Sequence, residues 1–147
     1  MRILSLIILL FISIQIKAQE INWLTIEQAE KAQKENPNKP MFIDIYTDWC
    51  GWCAKLDAKT FKDTNVVKHI SENYIPVKLD AEHKDIINFR GQDFKFIKSG
   101  RSGINVLAYH LLQGKTAFPS MVILSSDGKI LNTLNGYFTP EQLLQQL

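Results

Sequence analysis

Among its 147 residues the chain holds only two cysteines, and it places them three positions apart in the stretch TDWCGWCAK at residues 47–55. This spacing restricts what the pair can do. A disulfide stabilises a fold chiefly by closing a long loop in the unfolded chain, and Cys50 and Cys53 close almost none. A structural zinc needs four ligands, and His69, His83 and His110 show no spacing that would complete a site with the pair. Thiol–disulfide exchange does use neighbouring cysteines, because one sulfur attacks a partner and the second resolves the mixed disulfide.

The flanking residues place the pair. PMFIDIYTD before it is rich in Ile, Phe and Tyr and reads as a strand, while AKLDAKTF after it carries the helix formers Ala, Lys and Leu. The cysteines therefore lie where a strand hands over to a helix. Unpaired N–H groups and the positive end of the helix dipole favour a thiolate there. Cys50 is expected to be the exposed nucleophile, and Cys53, on nearly the same helix face, the more buried resolving sulfur.

The N-terminus is different in kind. Met1-Arg2 is followed by residues 3–14, apolar except for Ser5 and Ser13, and then by the polar SIQIKAQE. This is the plan of an export signal over residues 1–18, too short for a comfortable span of about 20 residues. An uncleaved anchor is the alternative, since Ile16 stands where a small residue is usual before a cut after Ala18. Without Arg2 and Lys17 the basic count falls from 17 to 15, against 15 acids. A neutral protein without a basic cluster offers no electrostatic footprint for nucleic acid.

The rest of the chain reads as one α/β domain over residues 19–147. INWL suggests a short first strand, Thr25 and Gln28 a capping box for a helix ending before Pro37, and DTNVVKHISENY an amphipathic helix with Val66, Val67 and Ile70 inward. PVKLD at 76–80 is a further strand. Residues 85–103, DIINFRGQDFKFIKSGRSG, carry two apolar-rich runs around Arg90-Gly91-Gln92 and read as a hairpin ahead of the helix INVLAYHLLQ. In MFIDIYT, Asp44 is an acid among large apolar residues. Buried, it needs a raised pKa or a partner; on an edge strand it would face solvent. Lys78 is either that partner on the next strand or a surface lysine.

Taken together these residues resemble the thioredoxin superfamily. FIDIYTDWCGWC is similar to its active-site strand and loop, PVKLD to the next core strand, FPSMVIL at 118–124 to the proline loop and following strand, and DGKILNTLNGYFTPEQLLQQL to the closing hairpin and helix. The resemblance covers roughly residues 20–147 and extends to exported members and to the C-terminal thioredoxin domain of the bacterial inner-membrane disulfide reductase. It implies a thioredoxin-like fold, with a central mixed sheet flanked by helices and residues 85–103 inserted before the third core helix. It also implies Cys50, Cys53, Asp44 and Lys78 as catalytic groups, with Asp44 relaying a proton for Cys53. Trp49, Gly51, Trp52, Phe118 and Pro119 would meet substrate. Trp49 would shield the pair from below, Trp52 would contact partners or cover Cys53, and the 118–119 bond would be cis, with Phe118's backbone pairing to an extended substrate. Proline at a strand start is the plainer reading of Pro119.

The implied activity is exported thiol-disulfide exchange, in the periplasm or envelope, on protein thiol and disulfide substrates. No cofactor or metal beyond the Cys50–Cys53 pair is implied, and the protein is expected to be a monomer served by a membrane electron donor. Gly51-Trp52 stands where thioredoxin itself has Gly-Pro, and family potentials range from about −270 to about −120 mV, about 7 kcal/mol for two electrons. A reductase is the favoured direction; an oxidant, an isomerase and a non-catalytic binding module are the alternatives. The helix-terminus placement predicts that Cys50 titrates well below the ordinary ~8.5 while Cys53 stays protonated at neutral pH. Alkylation rate against pH on Cys53→Ala and Cys50→Ala checks this, and equal, unshifted values would refute it.

Overall fold

The computed structural model describes residues 20–147, so the expected export signal lies outside the described residues. In chain order the elements are α1 (Ile26–Glu35), β1 (Met41–Tyr46), α2 (Gly51–Ala58), a 3-10 turn (Thr60–Lys62), α3 (Thr64–Asn73) and β2 (Ile75–Asp80). Four short strands follow, β3 (Ile87–Phe89), β4 (Gln92–Phe94), β5 (Phe96–Ser99) and β6 (Ser102–Asn105), then α4 (Val106–Leu111), β7 (Ser120–Leu124), β8 (Ile130–Asn135) and α5 (Pro140–Leu144). Among the described residues no helix is long and apolar enough to cross a membrane.

Large apolar side chains on both faces of MFIDIY suit a strand covered on both sides, and β1 is one. The sheet runs β2-β1-β7-β8, with β2 parallel to β1 and both β7 and β8 antiparallel to their neighbours. Alternate side chains of a strand point to opposite faces. Met41, Ile43 and Ile45 join one core with Ile26 and Ala29 of α1 and Leu107, Ala108 and Leu111 of α4. Phe42 joins the other with Leu56 of α2, Val66, Val67 and Ile70 of α3, and Leu143 of α5. Burying each of the Val, Leu, Ile, Phe and Met side chains contributes about 1.5–3 kcal/mol. By the same alternation Asp44 points to the Phe42 face, under α2.

Local signals set the helix ends. Thr25 and Gln28 form the reciprocal capping box of α1, and Thr139 and Gln142 repeat it at α5. Asp63 caps α3 by accepting from the N–H groups of Asn65 and Val66. INWL, expected as a strand, pairs through Leu24 alone, which exchanges backbone bonds with Pro76 and Lys78 of β2. The cap at Thr25 turns the chain into α1 before a longer ladder can form.

The stretch 85–103 contains two hairpins where the sequence suggested one. In the first, Arg90 (φ 53°) and Gly91 (φ 73°) are both left-handed, as a two-residue type I′ turn requires. Its Ile87 and Phe89 are buried in the α1-side core. Arg90 fastens the turn, donating from its N–H to Glu30 of α1 (2.9 Å) and from its guanidinium to the Ser126 carbonyl (2.9 Å) in the β7–β8 turn. The second hairpin turns at Gly100 and Arg101, and β5 packs little of itself inward. Gly100-Arg101 is a two-residue turn masked in the sequence by the surrounding Ser and Gly. α4 accordingly begins at Val106, later than INVLAYHLLQ suggested. Buried Asn105 accepts from the Leu107 N–H at 3.0 Å to cap α4, and its amide is shared among the carbonyls of His83, Asp85 and Phe94.

These packings separate the hairpins energetically. Phe89→Ala should cost about 3–5 kcal/mol, as large-to-small core changes do, while Ile97→Ala, at a position 57% exposed, should stay within about 0.5 kcal/mol. Urea denaturation of both variants checks the difference, and similar losses would place the second hairpin in the core.

Candidate active site

β1 ends at Tyr46, and the chain turns through residues 47–49, with the Cys50 N–H donating to the Thr47 carbonyl at 3.2 Å. Cys50 then occupies the N-cap of α2 in an extended conformation, and its Sγ accepts from the Cys53 N–H at 3.1 Å. The two cysteines are joined as a disulfide with Cα atoms 5.2 Å apart. The sulfur of Cys50 thus already faces the donor that would stabilise its thiolate after reduction. Cys50 is buried in this oxidised state, nearly as deeply as Cys53, where an exposed outer sulfur was expected. The S–S bond turns its Sγ inward over the first turn of α2.

On the face of the sheet that α2 covers lies a chain of charges. Asp44 of β1 is 1% exposed and stands in register with Lys78 of β2, whose ammonium reaches Asp44 Oδ2 at 2.5 Å. The same ammonium reaches Asp57 Oδ1 at 2.5 Å. Asp57 lies four residues after Cys53 on α2, hence on the same side of the helix one turn along. Lys78 thereby links a carboxylate next in line to the resolving cysteine with one buried in the central strand. The rings of Trp23, Tyr46 and Phe61 stand 5.2, 5.0 and 5.6 Å from that ammonium, which holds it further in place. Asp57 was not singled out from the sequence; its i, i+4 spacing from Cys53 was the available signal.

Burial and pairing act oppositely on these groups. Burial raises Asp44 from 3.8 to about 6, because the Lys78 ammonium only partly offsets the loss of water. Burial by itself would lower Lys78, but Asp44 and Asp57 together outweigh it and hold Lys78 above its ordinary value. Asp44 Oδ1 is buried with no hydrogen-bond partner among the described residues, leaving one oxygen able to take a proton. Thr47 Oγ1 is likewise unpartnered, and nothing in the structure explains it.

Aromatic side chains form the rim. Trp49 is 68% exposed and meets Phe118 edge-to-face at 6.0 Å, so it stands beside the mouth of the site and does not shield the pair from below as expected. Its place in the turn before α2 points it outward. Trp52, also exposed, packs on Tyr137 at 5.5 Å with Lys55 over both rings. Gly51 opens α2, and an added Cβ there would meet nothing within 4 Å. The Phe118–Pro119 bond is cis, and the Pro119 carbonyl accepts from the Gly136 N–H at 2.8 Å. The two sulfurs are bonded to each other, and among the described residues no group of three or more His, Cys, Asp or Glu is placed to hold a metal.

A disulfide-bonded pair three positions apart at a helix N-terminus, on a four-stranded mixed sheet with a cis-proline loop, defines a disulfide oxidoreductase of the thioredoxin type. The sequence profile of the thioredoxin-like domain matches residues 26–147, and the chain belongs to that family. A solution structure from Bacteroides thetaiotaomicron, described as a proposed disulphide-isomerase, is 25% identical. It covers 88% of this chain and 93% of its own with a TM-score of 0.59. The reduced C-terminal domain of Neisseria meningitidis DsbD superposes with a TM-score of 0.55 over 82% of this chain and 88% of that one, at 20% identity. In sequence, the thiol:disulfide interchange protein DsbD of Escherichia coli K12 is 31% identical over 51 residues, 35% of this chain and 9% of that protein. The chain spans from 7% to 14% of the length of the first curated relatives it matches.

The raised Asp44 value has a sign that can be measured. Between pH 3.8 and about 6 the folded protein binds a proton that the unfolded chain has lost, so this group makes stability fall as pH rises through that window. The full effect is about 3 kcal/mol. Asp44→Asn should therefore match the parent below pH 4, gain on it from pH 4 to 6, and keep a constant advantage above. Urea denaturation of the two oxidised proteins across pH 3.5–8 checks this, and a pH-independent difference would contradict it.

Proposed function

We propose that the protein is an exported thiol-disulfide oxidoreductase that reduces disulfides in other proteins and is itself re-reduced by a membrane-bound thiol donor. The observation that carries this reading is the buried Asp44 carboxyl, with one oxygen unpartnered and the other tied through Lys78 to Asp57, one turn along α2 from Cys53. A passive disulfide has no use for so costly a group. Similarity to the DsbD domain and the apolar stretch at residues 3–14 support the reducing direction and export.

In the reduced protein the Cys50 thiolate, favoured by the Cys53 N–H and the end of α2, attacks one sulfur of the substrate disulfide. The substrate S–S bond breaks, one substrate thiolate leaves, and Cys50 is held in a mixed disulfide. Asp44, with a pKa near 6 and so mostly ionised at neutral pH, takes the Cys53 proton. The Cys53 thiolate attacks Cys50 Sγ and expels the second substrate thiolate. Two electrons pass from the dithiol to the substrate, and the protons of Cys50 and Cys53 end on its thiols. Lys78 orients Asp44, and Asp57, more exposed at the other end of the ammonium, opens the buried carboxyl to solvent protons. The extended substrate pairs with the backbone at Phe118 beside Pro119, between Trp49 and Trp52. The protein works as a monomer without further cofactor.

Asp44→Asn should slow the resolving step most. General-base help is worth about 10² to 10⁴ in rate, so the Cys50-linked mixed disulfide should persist longer by up to that factor at pH 7, with the gap narrowing toward pH 9. Acid quenching at intervals and counting the trapped complex measures it. Resolution as fast as the parent at every pH from 6 to 9 would make Asp44 a structural acid.

A further inference from the structure

Beside the disulfide, between the second hairpin and the start of α4, lies a groove of about 570 Å³ whose walls include Trp49, Ile104, Tyr109 and Phe118. Two of these, Trp49 and Tyr109, leave much of their ring surface in solvent. One carboxylate, that of Glu82 in the loop after β2, also lines the groove. Glu82 is oriented by the Ser102 hydroxyl of β6, which donates to it and favours its charged form, as the nearby Trp49 indole does more weakly. A carboxylate accepts about four hydrogen bonds, so capacity remains toward the groove. The ion pairs of the described residues leave Glu82 out. Neighbouring Lys84 places its ammonium over the Phe96 ring at 3.6 Å.

We propose that this groove is a pocket for a Lys or Arg side chain carried close to the reacting cysteine in an extended segment of the substrate protein. The proposal rests on the oxidoreductase reading and adds to it the chemistry of the partner. Aromatic rings alone would accept an apolar side chain as readily as a cation. The fixed carboxylate separates the two. An apolar residue covering Glu82 would strip water from a charge and return no partner, which is costly, whereas an ammonium or guanidinium supplies the partner and lies against ring faces that attract it. An acidic residue in the same place meets like charge. The second hairpin supplies Ser102 and Ile104, so selectivity comes from a hairpin whose outer strand, β5, packs little of itself inward.

Three cysteine peptides, identical except for Lys, Gln or Glu flanking the cysteine, are prepared as their symmetrical disulfides. Each is mixed with pre-reduced protein. The second-order rate of protein oxidation is read from tryptophan fluorescence and normalised to the rate of the same peptide with dithiothreitol. The normalised rate for the Lys peptide should exceed that for Gln by about five- to tenfold, with Glu slowest, and the ratio should shrink as salt is added. Glu82→Gln should bring the Lys-to-Gln ratio close to one. Ser102→Ala, which removes a hydrogen bond to Glu82 but not its charge, should keep most of it. Equal rates for the three peptides, a ratio that survives Glu82→Gln, or a ratio lost equally in Ser102→Ala would each overturn the pocket. Hydroxyethyl disulfide, small and neutral, is the separate arm: if the reduced parent protein cannot reduce it, the oxidoreductase reading itself falls, and if it can, the peptide ratios judge the pocket alone.

Discussion

Asp44 occupies a strand hydrogen-bonded on both sides and covered on both faces, where a carboxylate loses nearly all of its hydration. The surrounding structure answers that loss only in part. Lys78 stands directly across the parallel ladder, but its ammonium is divided between two carboxylates and three rings, and one Asp44 oxygen keeps no partner. Full neutralisation would fix the group in its charged state, and none at all would keep it protonated. The partial pairing leaves it near 6, where it can do either within the working range of a thiol reaction.

The same strand sets the position of everything else at the site. Its exit places Cys50 at the first turn of α2, its even-numbered face puts Asp44 under that helix, and its antiparallel neighbour β7 begins directly after Pro119. Sulfurs, acid and proline loop are therefore assembled by the ends and the register of two adjacent strands, with no mobile segment required to bring them together.

Most of this could be read from the residues because it depends on local patterns. The apolar run at 41–46 with one acid, the cysteines at a strand-to-helix boundary, the capping pair Thr25 and Gln28, and the ordered resemblance over roughly residues 20–147 identified the fold and the disulfide. What was hidden depends on three-dimensional neighbours. Asp57 is an ordinary helix-surface acid until β2 brings Lys78 against it. The exposure of Trp49 follows from how the 47–49 turn leaves the sheet, which a tripeptide of Thr, Asp and Trp does not reveal. The second hairpin was concealed because its strands, FIKS and SGIN, have too few apolar residues to show alternation, and its pairing is decided by the backbone of Gly100.

The clasp made by Arg90 has a consequence for how such a protein can diversify. By tying the first hairpin to α1 and to the turn after β7, it closes the fold before the second hairpin begins. Asn105 closes it again on the far side, at the start of α4. The residues between Phe96 and Ile104 are bracketed by two anchors and owe little to the interior. Exposed positions there, such as Ile97 and Lys98, can vary without eroding foldability, although Gly103 cannot, since a Cβ on it would meet the Phe96 ring and the Ile97 carbonyl. A lineage can thus alter this surface while the sheet and α2 stay under their own, separate selection.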